Sequence, residues 1–484
     1  EVELAWTVDQ VIPTGDYLLQ LANGSNWYFG EQGGPSIRVA LQEDPDTALG
    51  RIVLPQIAYL SGASLKGDKL YLLQTQAFQS ANPKPVPVKP EEGDDEVEND
   101  EKPKTKEPNP NVFLTIIDLA NLPELAVIGE LALVDKNMGW SNQFKPTWPS
   151  EGKLLWSNAG GYRYWGWGGP WIDDAVGDSL WPDYYGGSAG QLICFDVTNI
   201  IQPTLASSIN LSVEENEDGK IKYANRWNFS EAILNNNGLV YLSSQHTDFI
   251  EIEPENEKPR PQPEPESRGY WMTNYELHVV DYADMFHPVV RDVVSIPGTL
   301  IGTSHDGALL YTQGAHWSDD HKWDGNWIDA SSYDGLEVHL VDSIEQPQNW
   351  PRSQIVTDDG ILYMTFSETE KSEPTEVGES NYVTTNYMQS FALNETAQFT
   401  LLNEIELETG IQQLSEIGGQ LFGQDNQRAL HLFDTSTPSS LSVSGHGMPE
   451  GCLWFNLGDV TVSIDYHIWV PLGQYGAVKV NLDN

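Results

Sequence analysis

The sequence predicts an all-β protein built from a repeated four-stranded unit. Three observations favour this. A tight turn followed by an apolar strand recurs along the chain, a strand that ends in Asp and then Pro follows it, and helical periodicity is nearly absent. Four antiparallel strands per unit, repeated around a closed ring, form a β-propeller. We therefore predict a single β-propeller over residues 1–484, with eight blades favoured and seven as the alternative.

The first recurring element is a short polar turn that leads into an apolar strand. It reads "KGDKLYLLQTQ" from Lys66, "NNNGLVYLSSQ" from Asn235 and "TDDGILYMTFS" from Thr357. Asn, Asp and Gly before a run rich in Leu, Tyr and Val are typical of a hairpin. This element predicts the turn between the first and second strands of each blade.

The second recurring element is an apolar strand that closes on an acid and a proline. The Asp can cap the turn through nearby backbone amides, and the proline fixes the next bend. The five copies are "LTIIDLANLP" ending at Pro123, "LICFDVTNIIQP" at Pro203, "LHVVDYADMFHP" at Pro288, "VHLVDSIEQP" at Pro347 and "LHLFDTSTP" at Pro438. This element predicts the third strand of a blade and the turn to the fourth.

Counting these units divides the chain into blades. The predicted boundaries are 11–54, 55–136, 137–212, 213–298, 299–350, 351–410 and 411–450. The remainder supplies three strands, and "VELAWTVD" at the N-terminus supplies a fourth, so that the N-terminal strand pairs with the C-terminal blade and closes the ring. Without the long insertions, eight blades average about 45 residues, within the usual range of about 40–50.

The strand "LTIIDLANLPELAVIGEL" and its relatives resemble the LVIVD-type repeats of secreted bacterial and archaeal propellers. In those repeats an apolar run ends in Asp and a short Asn/Pro turn follows. The resemblance covers most of the chain, but the unit "NYMQSFALNETAQF" departs from it, since Asn394 replaces the Asp and no proline turn follows. The resemblance implies a propeller fold and an extracytoplasmic setting, and it implies no single activity.

Five long insertions fall between predicted second and third strands, at 78–111, 160–189, 247–270, 316–334 and 368–385. Successive connections of an antiparallel blade alternate between the two faces of the disc, so these insertions share one face. Long loops on a rigid scaffold are where binding sites usually lie. This face is therefore the predicted working face.

Two of these insertions are rich in aromatic residues. The predicted binding residues are Tyr162, Tyr164, Trp165, Trp167, Trp171, Trp181, Tyr184, Tyr185, Trp317, Trp323 and Trp327. Three interpretations remain open: the rings pack together to order the loops, they anchor a protein partner, or they stack on sugar rings beside carboxylates. The leading prediction is a module that binds a protein partner or a larger extracellular assembly. The alternative is a propeller that binds glycans or degrades polysaccharide.

Two groups of residues are predicted metal ligands. Asp319, Asp320, Asp324 and Asp329 place hard oxygen ligands in one turn, as Ca²⁺ needs, but without the spacing of an EF-hand. His246 and His316 occupy similar positions in adjacent blades, a weaker signal for a transition metal. Apart from Ca²⁺ no cofactor is predicted. Cys194 and Cys452 lie in distant blades and are predicted to remain unbridged.

Charge and motifs exclude several classes of function. The chain has 71 Asp plus Glu against 25 Lys plus Arg, a formal net charge of -46, which disfavours nucleic acids and anionic membranes. No apolar run approaches the length of a membrane span, and no catalytic motif stands out, so an enzyme is not the leading prediction. A start at Glu1 fits a processed chain, and the predicted location is secreted or cell-surface, with the periplasm as an alternative.

Overall fold

Antiparallel sheets repeat along the chain in the computed structural model of the protein. The structure describes residues 7–23, 25–26, 31–32, 34–56, 58–76, 108–136, 138, 144–158, 190–211, 214–215, 221–222, 228–251, 269–304, 306–318, 323–347, 353–371, 382–394, 396–448, 455, 457–463, 465–473 and 476–482. Among these residues the only helical element is a 3-10 turn at Leu457–Asp459. None of the described helical segments has the length and apolar character needed to cross a bilayer.

Each of the first three blades contains four strands, which follow one another from first to fourth in chain order. Blade 1 contains β1 (Gln10–Thr14), β2 (Tyr17–Ala22), a small hairpin of β3 (Ser25–Asn26) and β4 (Glu31–Gln32), then β5 (Ser36–Leu41) and β6 (Gly50–Val53). Blade 2 contains β7 (Tyr59–Lys66), β8 (Lys69–Thr75), β9 (Val112–Asp118) and β10 (Ala126–Leu133). Blade 3 contains β11 (Lys145–Ser150), β12 (Lys153–Asn158), β13 (Gln191–Asp196) and β14 (Thr204–Asn210).

A small hairpin of β15 (Glu214–Glu215) and β16 (Ile221–Lys222) links blades 3 and 4. Blade 4 has a divided first strand, β17 (Asn228–Phe229) and β18 (Ile233–Leu234), then β19 (Leu239–Glu251), β20 (Gly269–Asp281) and a divided fourth strand, β21 (Val289–Val290) and β22 (Val294–Ser295). Blade 5 contains β23 (Thr299–Thr303), β24 (Leu309–Trp317), β25 (Trp323–Tyr333) and β26 (Val338–Glu345).

The last three blades complete the chain. Blade 6 contains β27 (Ser353–Val356), β28 (Leu362–Lys371), β29 (Tyr382–Leu393) and β30 (Phe399–Leu407). Blade 7 contains β31 (Ile411–Ile417), β32 (Gln420–Asp425), β33 (Leu430–Asp434) and β34 (Ser442–Gly447). Blade 8 contains, in its described part, β35 (Thr461–Val462), β36 (Ile468–Pro471) and β37 (Ala477–Val480).

Eight apolar clusters, one between each pair of neighbouring blades, hold the sheets in a ring. The largest joins blades 2 and 3 around Trp156, which is fully buried. The last joins Val11 and Leu18 of blade 1 to Trp469 of blade 8. A chain of contacts that returns to its first blade is a closed propeller, so the eight-blade prediction is confirmed and the seven-blade alternative is wrong.

The N-terminal segment closes the ring through its backbone. The amide of Val8 donates to the carbonyl of Gly473 at 2.8 Å, and the amide of Gly473 donates back to Val8 at 2.9 Å. The segment before blade 1 therefore pairs with the C-terminal blade, as the sequence predicts. Residues 1–6 lie outside the described part.

The turns that define the repeat have the geometry that their residues favour. Between first and second strands, Gly67 has φ 60 and Gly238 has φ 78, a left-handed conformation that glycine adopts without strain. After the third strand, a carboxylate oxygen of Asp196 accepts from the amide of Thr198 at 3.0 Å. Lys153, the first residue of β12, pairs with the same side chain and lowers the pKa of Asp196 to about 2. Asp118, Asp281 and Asp434 cap the equivalent turns.

Blade 5 departs from the predicted arrangement of strands. Its third strand is β25, inside the predicted insertion 316–334, and "VHLVD" forms the fourth strand. Asp334 caps the turn, accepting at 2.8 Å from the amides of Leu336 and Glu337, and these bonds lower its pKa to about 2. The expected cap, Asp342, instead accepts from the amide of Phe399 in blade 6 at 2.6 Å.

The described parts of three predicted insertions, 247–270, 316–334 and 368–385, consist mainly of strand continuations, whereas residues 252–268, 319–322 and 372–381 lie outside the described part. The second and third strands of blades 4, 5 and 6 extend beyond the first and fourth strands as two-stranded hairpins. We call these hairpins arm 4 (246–251 and 269–275), arm 5 (314–317 and 323–326) and arm 6 (366–371 and 382–385). All three join second to third strands and therefore rise from the same face. Residues 77–107 and 159–189, which hold most of the other two insertions, lie outside the described part.

Candidate functional site

The base of arm 5 is fixed by a buried carboxylate. Nε2 of His316 lies 3.0 Å from Oδ2 of Asp329, and the Ser343 hydroxyl donates to the other oxygen of Asp329 at 2.6 Å. Asp329 is fully buried, and both of its oxygens have a partner. A buried carboxylate satisfied in this way holds its neighbours in one arrangement. The second, third and fourth strands of blade 5 are thereby tied together just below the arm.

An aromatic contact continues this support toward the arm. The rings of His316 and Trp327 stack at 5.1 Å with an interplanar angle of 10°. The indole N–H of Trp327 donates to the backbone carbonyl of Asp324 at 3.0 Å. Gly325, between these two residues, has φ 106, a conformation that favours glycine, and it lies where the register of β24 and β25 shifts. The indole of Trp327 therefore belongs to the support of arm 5 rather than to its exposed surface.

Arm 5 presents a pair of exposed tryptophans. Trp317 and Trp323 face each other across the two strands as Cα partners. Their exposed fractions are 42% and 51%, high values for the largest apolar side chain. Directly opposed residues of an antiparallel pair lie about 4.5–5.5 Å apart at their Cβ atoms. The two indoles thus form one apolar surface at the end of a supported hairpin.

A network of glutamines ties arm 5 to blade 6. Nε2 of Gln313 donates to Oε1 of Gln346 at 3.0 Å, and Gln354 of blade 6 donates to Oε1 of Gln313. The backbone amide of Gln346 donates to the carbonyl of Asn326 in the arm at 2.8 Å. The sequence analysis did not predict the contacts of Gln346 and Gln354 with Gln313. These two glutamines follow or begin strands in different blades, and only the fold brings them together.

A cleft of about 400 Å³ lies between arms 4 and 5. It is lined by residues 272–276 of β20, residues 295–297 and Ala315 of β24. Burial raises the pKa of Tyr275, opposed by a hydrogen bond from the backbone of Ala315, so the phenol stays neutral. The sequence predicted no site at this position, because the lining comes from three separate segments.

Arm 6 also presents apolar side chains. Tyr382 is 67% exposed and Val383 is 57% exposed, both at the start of β29. At the base of the arm the rings of Phe366 and Tyr387 stack at 5.1 Å. Arms 5 and 6 therefore share a pattern: stacked rings lie at the base of each arm, and exposed apolar side chains lie farther along it.

Many of the predicted site residues lie outside the described part. These are the eight aromatic residues of insertion 160–189, namely Tyr162, Tyr164, Trp165, Trp167, Trp171, Trp181, Tyr184 and Tyr185, together with Asp319 and Asp320. For His246 only the backbone is described, and it pairs with Asn274 in arm 4. Of the predicted binding residues, the structure places Trp317, Trp323 and Trp327 in one hairpin.

The predicted calcium ligands are not all near one another. Asp324 is exposed near the end of arm 5, and Asp329 is buried at its base. Five residues along an extended strand span roughly 15 Å, so these two carboxylates do not share one ion. Among the described residues no group of three His, Cys, Asp or Glu side chains is placed to hold a metal. Calcium binding stays a prediction, without Asp329 as a ligand.

A serine and a histidine meet in blade 4, but in a closed position. Oγ of Ser244 lies 2.8 Å from Nε2 of His278, and burial lowers the pKa of His278 to about 4. Ser244 is 1% exposed, so a substrate cannot reach its hydroxyl. Cys194 is likewise a free, buried thiol, and burial raises its pKa to about 12, as expected of an inert cysteine. Neither group forms an open catalytic site.

Two solved propellers are similar to this chain. Sqt1 from Chaetomium thermophilum has 11% sequence identity and a TM-score of 0.45, over 97% of this chain and 93% of that chain. The Saccharomyces cerevisiae Sqt1 has 6% identity and a TM-score of 0.40, over 99% of this chain and 97% of that chain. No family model matches the sequence, and no curated protein matches it.

The predicted secreted or cell-surface location is corrected: the motif on which it rests does not indicate export. The physical reason lies in the repeat itself. Asp118 and Asp196 cap tight turns that any propeller needs, and this structural role is independent of the compartment. The motif that suggested export therefore does not report on location.

Proposed function

We propose that this propeller is a protein-interaction module whose partner binds at arm 5. The observation that carries the proposal is the pair formed by Trp317 and Trp323, which stays exposed at the end of a supported hairpin. Tryptophan is enriched among residues that dominate the binding energy of protein interfaces. An exposed tryptophan pair costs hydration free energy in the unbound protein, and a partner that covers it recovers that free energy.

The support beneath the pair favours binding. His316, Trp327 and Asp329 hold the base of the arm in one arrangement, so little order has to be gained when a partner binds. Arm 6 adds Tyr382 and Val383 on the same face. Arms 5 and 6 together offer a partner apolar contacts on two adjacent blades.

The same arrangement favours a protein over a glycan. Recognition of a sugar ring needs an indole face with hydrogen-bonding carboxylates beside it. Of the aspartates predicted as calcium ligands and described by the structure, Asp329 is buried and its oxygens are engaged by His316 and Ser343. Among the described residues of arm 5, Asp324 is the carboxylate at the surface. The described surface of arm 5 therefore offers two large apolar rings and few of the polar groups that would bind a sugar.

Site-specific photocrosslinking tests the proposal. The photoreactive amino acid p-benzoylphenylalanine replaces Trp317 or Trp323 in the full chain, and adducts are identified by mass spectrometry after irradiation in the cells that make the protein. We expect protein adducts from both positions. The alanine substitution Trp323→Ala should reduce the yield at position 317 at least about fivefold, the loss expected when one member of an anchor pair is truncated.

Tyr466 provides the matched control. It is 72% exposed and lies between the first and second strands of blade 8, on the opposite face. The same photoreactive group there should give few adducts. Equal yields at 466 and 317, or a yield at 317 that Trp323→Ala leaves unchanged, would show that arm 5 is not the binding site. A glycan adduct at position 317, without any protein adduct, would support the glycan alternative.

A further inference from the structure

We infer that the groove between arms 5 and 6 receives an arginine side chain of the protein partner, between the indoles of Trp317 and Trp323 and the carboxylates of Glu368 and Glu370. This inference rests on the proposed function and goes further by naming the chemistry of the bound group. It draws on the faces that the two arms turn toward each other, on the exposure of those faces and on the groups that they carry.

The tryptophan pair lies on the side of arm 5 that faces blade 6. Gln313 of β24 accepts a hydrogen bond from Gln354 of blade 6, so its side chain points toward that blade. Side chains alternate between the two faces of a strand, and Trp317 follows Gln313 at an even spacing. The register shift of this hairpin places its extra residue in β25, so the alternation along β24 is kept. Trp323 is the Cα partner of Trp317 and shares its face.

Glu368 and Glu370 lie on the side of arm 6 that faces blade 5. Met364 of β28 packs in one apolar cluster with Ile328 of blade 5. Both glutamates follow Met364 at even spacing, and β28 pairs with β29 without a register shift, so they continue the same face. Val383 is the Cα partner of Glu370 and joins them. The carboxylates of arm 6 and the indoles of arm 5 therefore lie on facing walls.

The two walls do not close on each other. Both tryptophans, both glutamates and Val383 are exposed. At the base of the arms, by contrast, Phe366 lies on the same face as the glutamates and is buried. Side chains that face a neighbouring arm and still remain exposed leave a groove that is open to solvent above Phe366. A side chain of a partner can enter this groove while the partner covers the tryptophans.

The carboxylates in this groove lack a counter-charge. Among the described residues, neither Glu368 nor Glu370 has an ion-pair or hydrogen-bond partner. They are two residues apart on one face of a strand, a spacing of about 7 Å, so their charges repel each other. A cation between the walls would relieve this repulsion. The group complementary to arm 6 is therefore positively charged.

The indoles on the opposite wall select among cations. A guanidinium group is planar, stacks on an aromatic face and donates two parallel hydrogen bonds to one carboxylate. An ammonium group is more strongly hydrated and has no plane to stack. An apolar side chain would cover both carboxylates without a counter-charge, which costs free energy. Arginine is the side chain that fits both walls.

Fluorescence anisotropy on the full chain tests the inference. The probes are three labelled 12-residue peptides in which Gly alternates with Arg, with citrulline or with Glu. Citrulline keeps the shape of arginine and lacks its charge. We expect the Arg peptide to bind and the other two to bind at least about tenfold more weakly. The double variant Glu368→Gln/Glu370→Gln should weaken the Arg peptide about tenfold, and Trp323→Ala about fivefold.

The matched control is the double variant Glu151→Gln/Glu337→Gln. It removes the same number of exposed charges from turns on the opposite face of the propeller. It should change the affinity for the Arg peptide by less than about twofold, as distant surface charges do. All these substitutions are at exposed positions, so the melting temperature should stay unchanged. Hydrogen exchange with the Arg peptide bound should show protection at 314–317 and 382–385.

Equal losses in the two double variants would overturn the inference, since they would mean diffuse attraction to an acidic chain. Equal binding of the citrulline peptide, no binding of the Arg peptide, or no protection in the two arms would overturn it as well. These failures are distinguishable from failure of the proposed function. If positions 317 and 323 crosslink to a protein while the peptide tests fail, the interaction module stands and the arginine is wrong. If the Arg peptide binds in the groove but neither position crosslinks to a protein, the proposed function fails.

Discussion

Oδ2 of Asp329 lies 3.0 Å from Nε2 of His316, at the point where arm 5 leaves its blade. The carboxylate is fully buried and the imidazole is partly exposed, so this pair connects the core of blade 5 to the surface hairpin. The exposed tryptophans depend on this connection for their position. Weakening the hydrogen bonds of Asp329 therefore tests whether they hold the exposed tryptophans in position.

We expect Asp329→Asn to destabilise the base of arm 5. The amide keeps the shape but loses one acceptor, so either His316 or Ser343 faces a weaker or missing hydrogen bond. A buried polar group that loses its partner costs about 1–3 kcal/mol. Urea unfolding should show a loss of that size, and hydrogen exchange should rise in β24 and β25. Asp324→Asn, an exposed change in the same strand, is the control and should leave both measurements unchanged.

Gly129 tests the packing between blades 2 and 3. It lies in the fourth strand of blade 2, and a Cβ built there would overlap the backbone carbonyl of Ile200 in blade 3. Since a backbone group cannot rotate away, Gly129→Ala should separate the two blades and cost at least about 1–3 kcal/mol. Denaturant unfolding measures this loss. Ala132→Val adds a larger group at an exposed site of the same strand and should have almost no effect.

The parts of the fold that the sequence predicts are those set by local backbone chemistry. Gly67 and Gly238 mark turns because the left-handed conformation excludes most other residues. Asp118 and Asp196 mark turns because their carboxylates reach amides two residues away. Each of these turn motifs lies within about ten residues, so it can be recognised in the sequence without knowledge of the fold. Counting the motifs therefore predicted eight blades. Even Asn394, which departs from the repeat, caps its turn by accepting from the amide of Thr396 at 2.9 Å.

Blade 5 shows where this reasoning fails. The segment "WDGNWIDASSY" combines Gly, Asp and Trp, residues that are common in loops, yet it forms β25. It is a strand because Ile328 packs in the core between blades 5 and 6 and Ala330 is also buried, while Asp329 between them has hydrogen-bond partners on the neighbouring strands. The cleft between arms 4 and 5 could not be predicted from the sequence for a related reason. Its lining comes from three segments, and only the ring places them together.

Trp469 should be essential for closing the ring. It is fully buried against Val8, Val11 and Leu18, and its indole N–H donates to Gln42 at 3.3 Å. Truncation of a buried tryptophan to alanine costs about 3–5 kcal/mol. Trp469→Ala should lower the free energy of unfolding by this amount. Trp317→Ala removes the same side chain from an exposed site and should change stability by less than about 0.5 kcal/mol, so similar losses in the two variants would contradict the assigned roles.

His278 should make the protein less stable as the pH falls. Burial lowers its pKa from 6.5 to about 4, so between these values the unfolded chain binds a proton that the folded chain does not. The contribution of His278 is therefore fully present above pH 6.5, declines as the pH falls below it, and stops changing below about pH 4. The total change amounts to at most about 3 kcal/mol.

Urea unfolding of the wild type and His278→Gln between pH 4 and 7 measures this contribution. Glutamine does not titrate, so the variant should show a shallower rise of stability with pH. Its loss relative to wild type should be greatest above pH 6.5, the ordinary pKa of the imidazole. His446→Gln alters an exposed imidazole of blade 7 and should leave the slope unchanged. If His278→Gln and wild type have parallel pH profiles, then the imidazole binds its proton equally in the folded and unfolded chains, and burial does not lower its pKa.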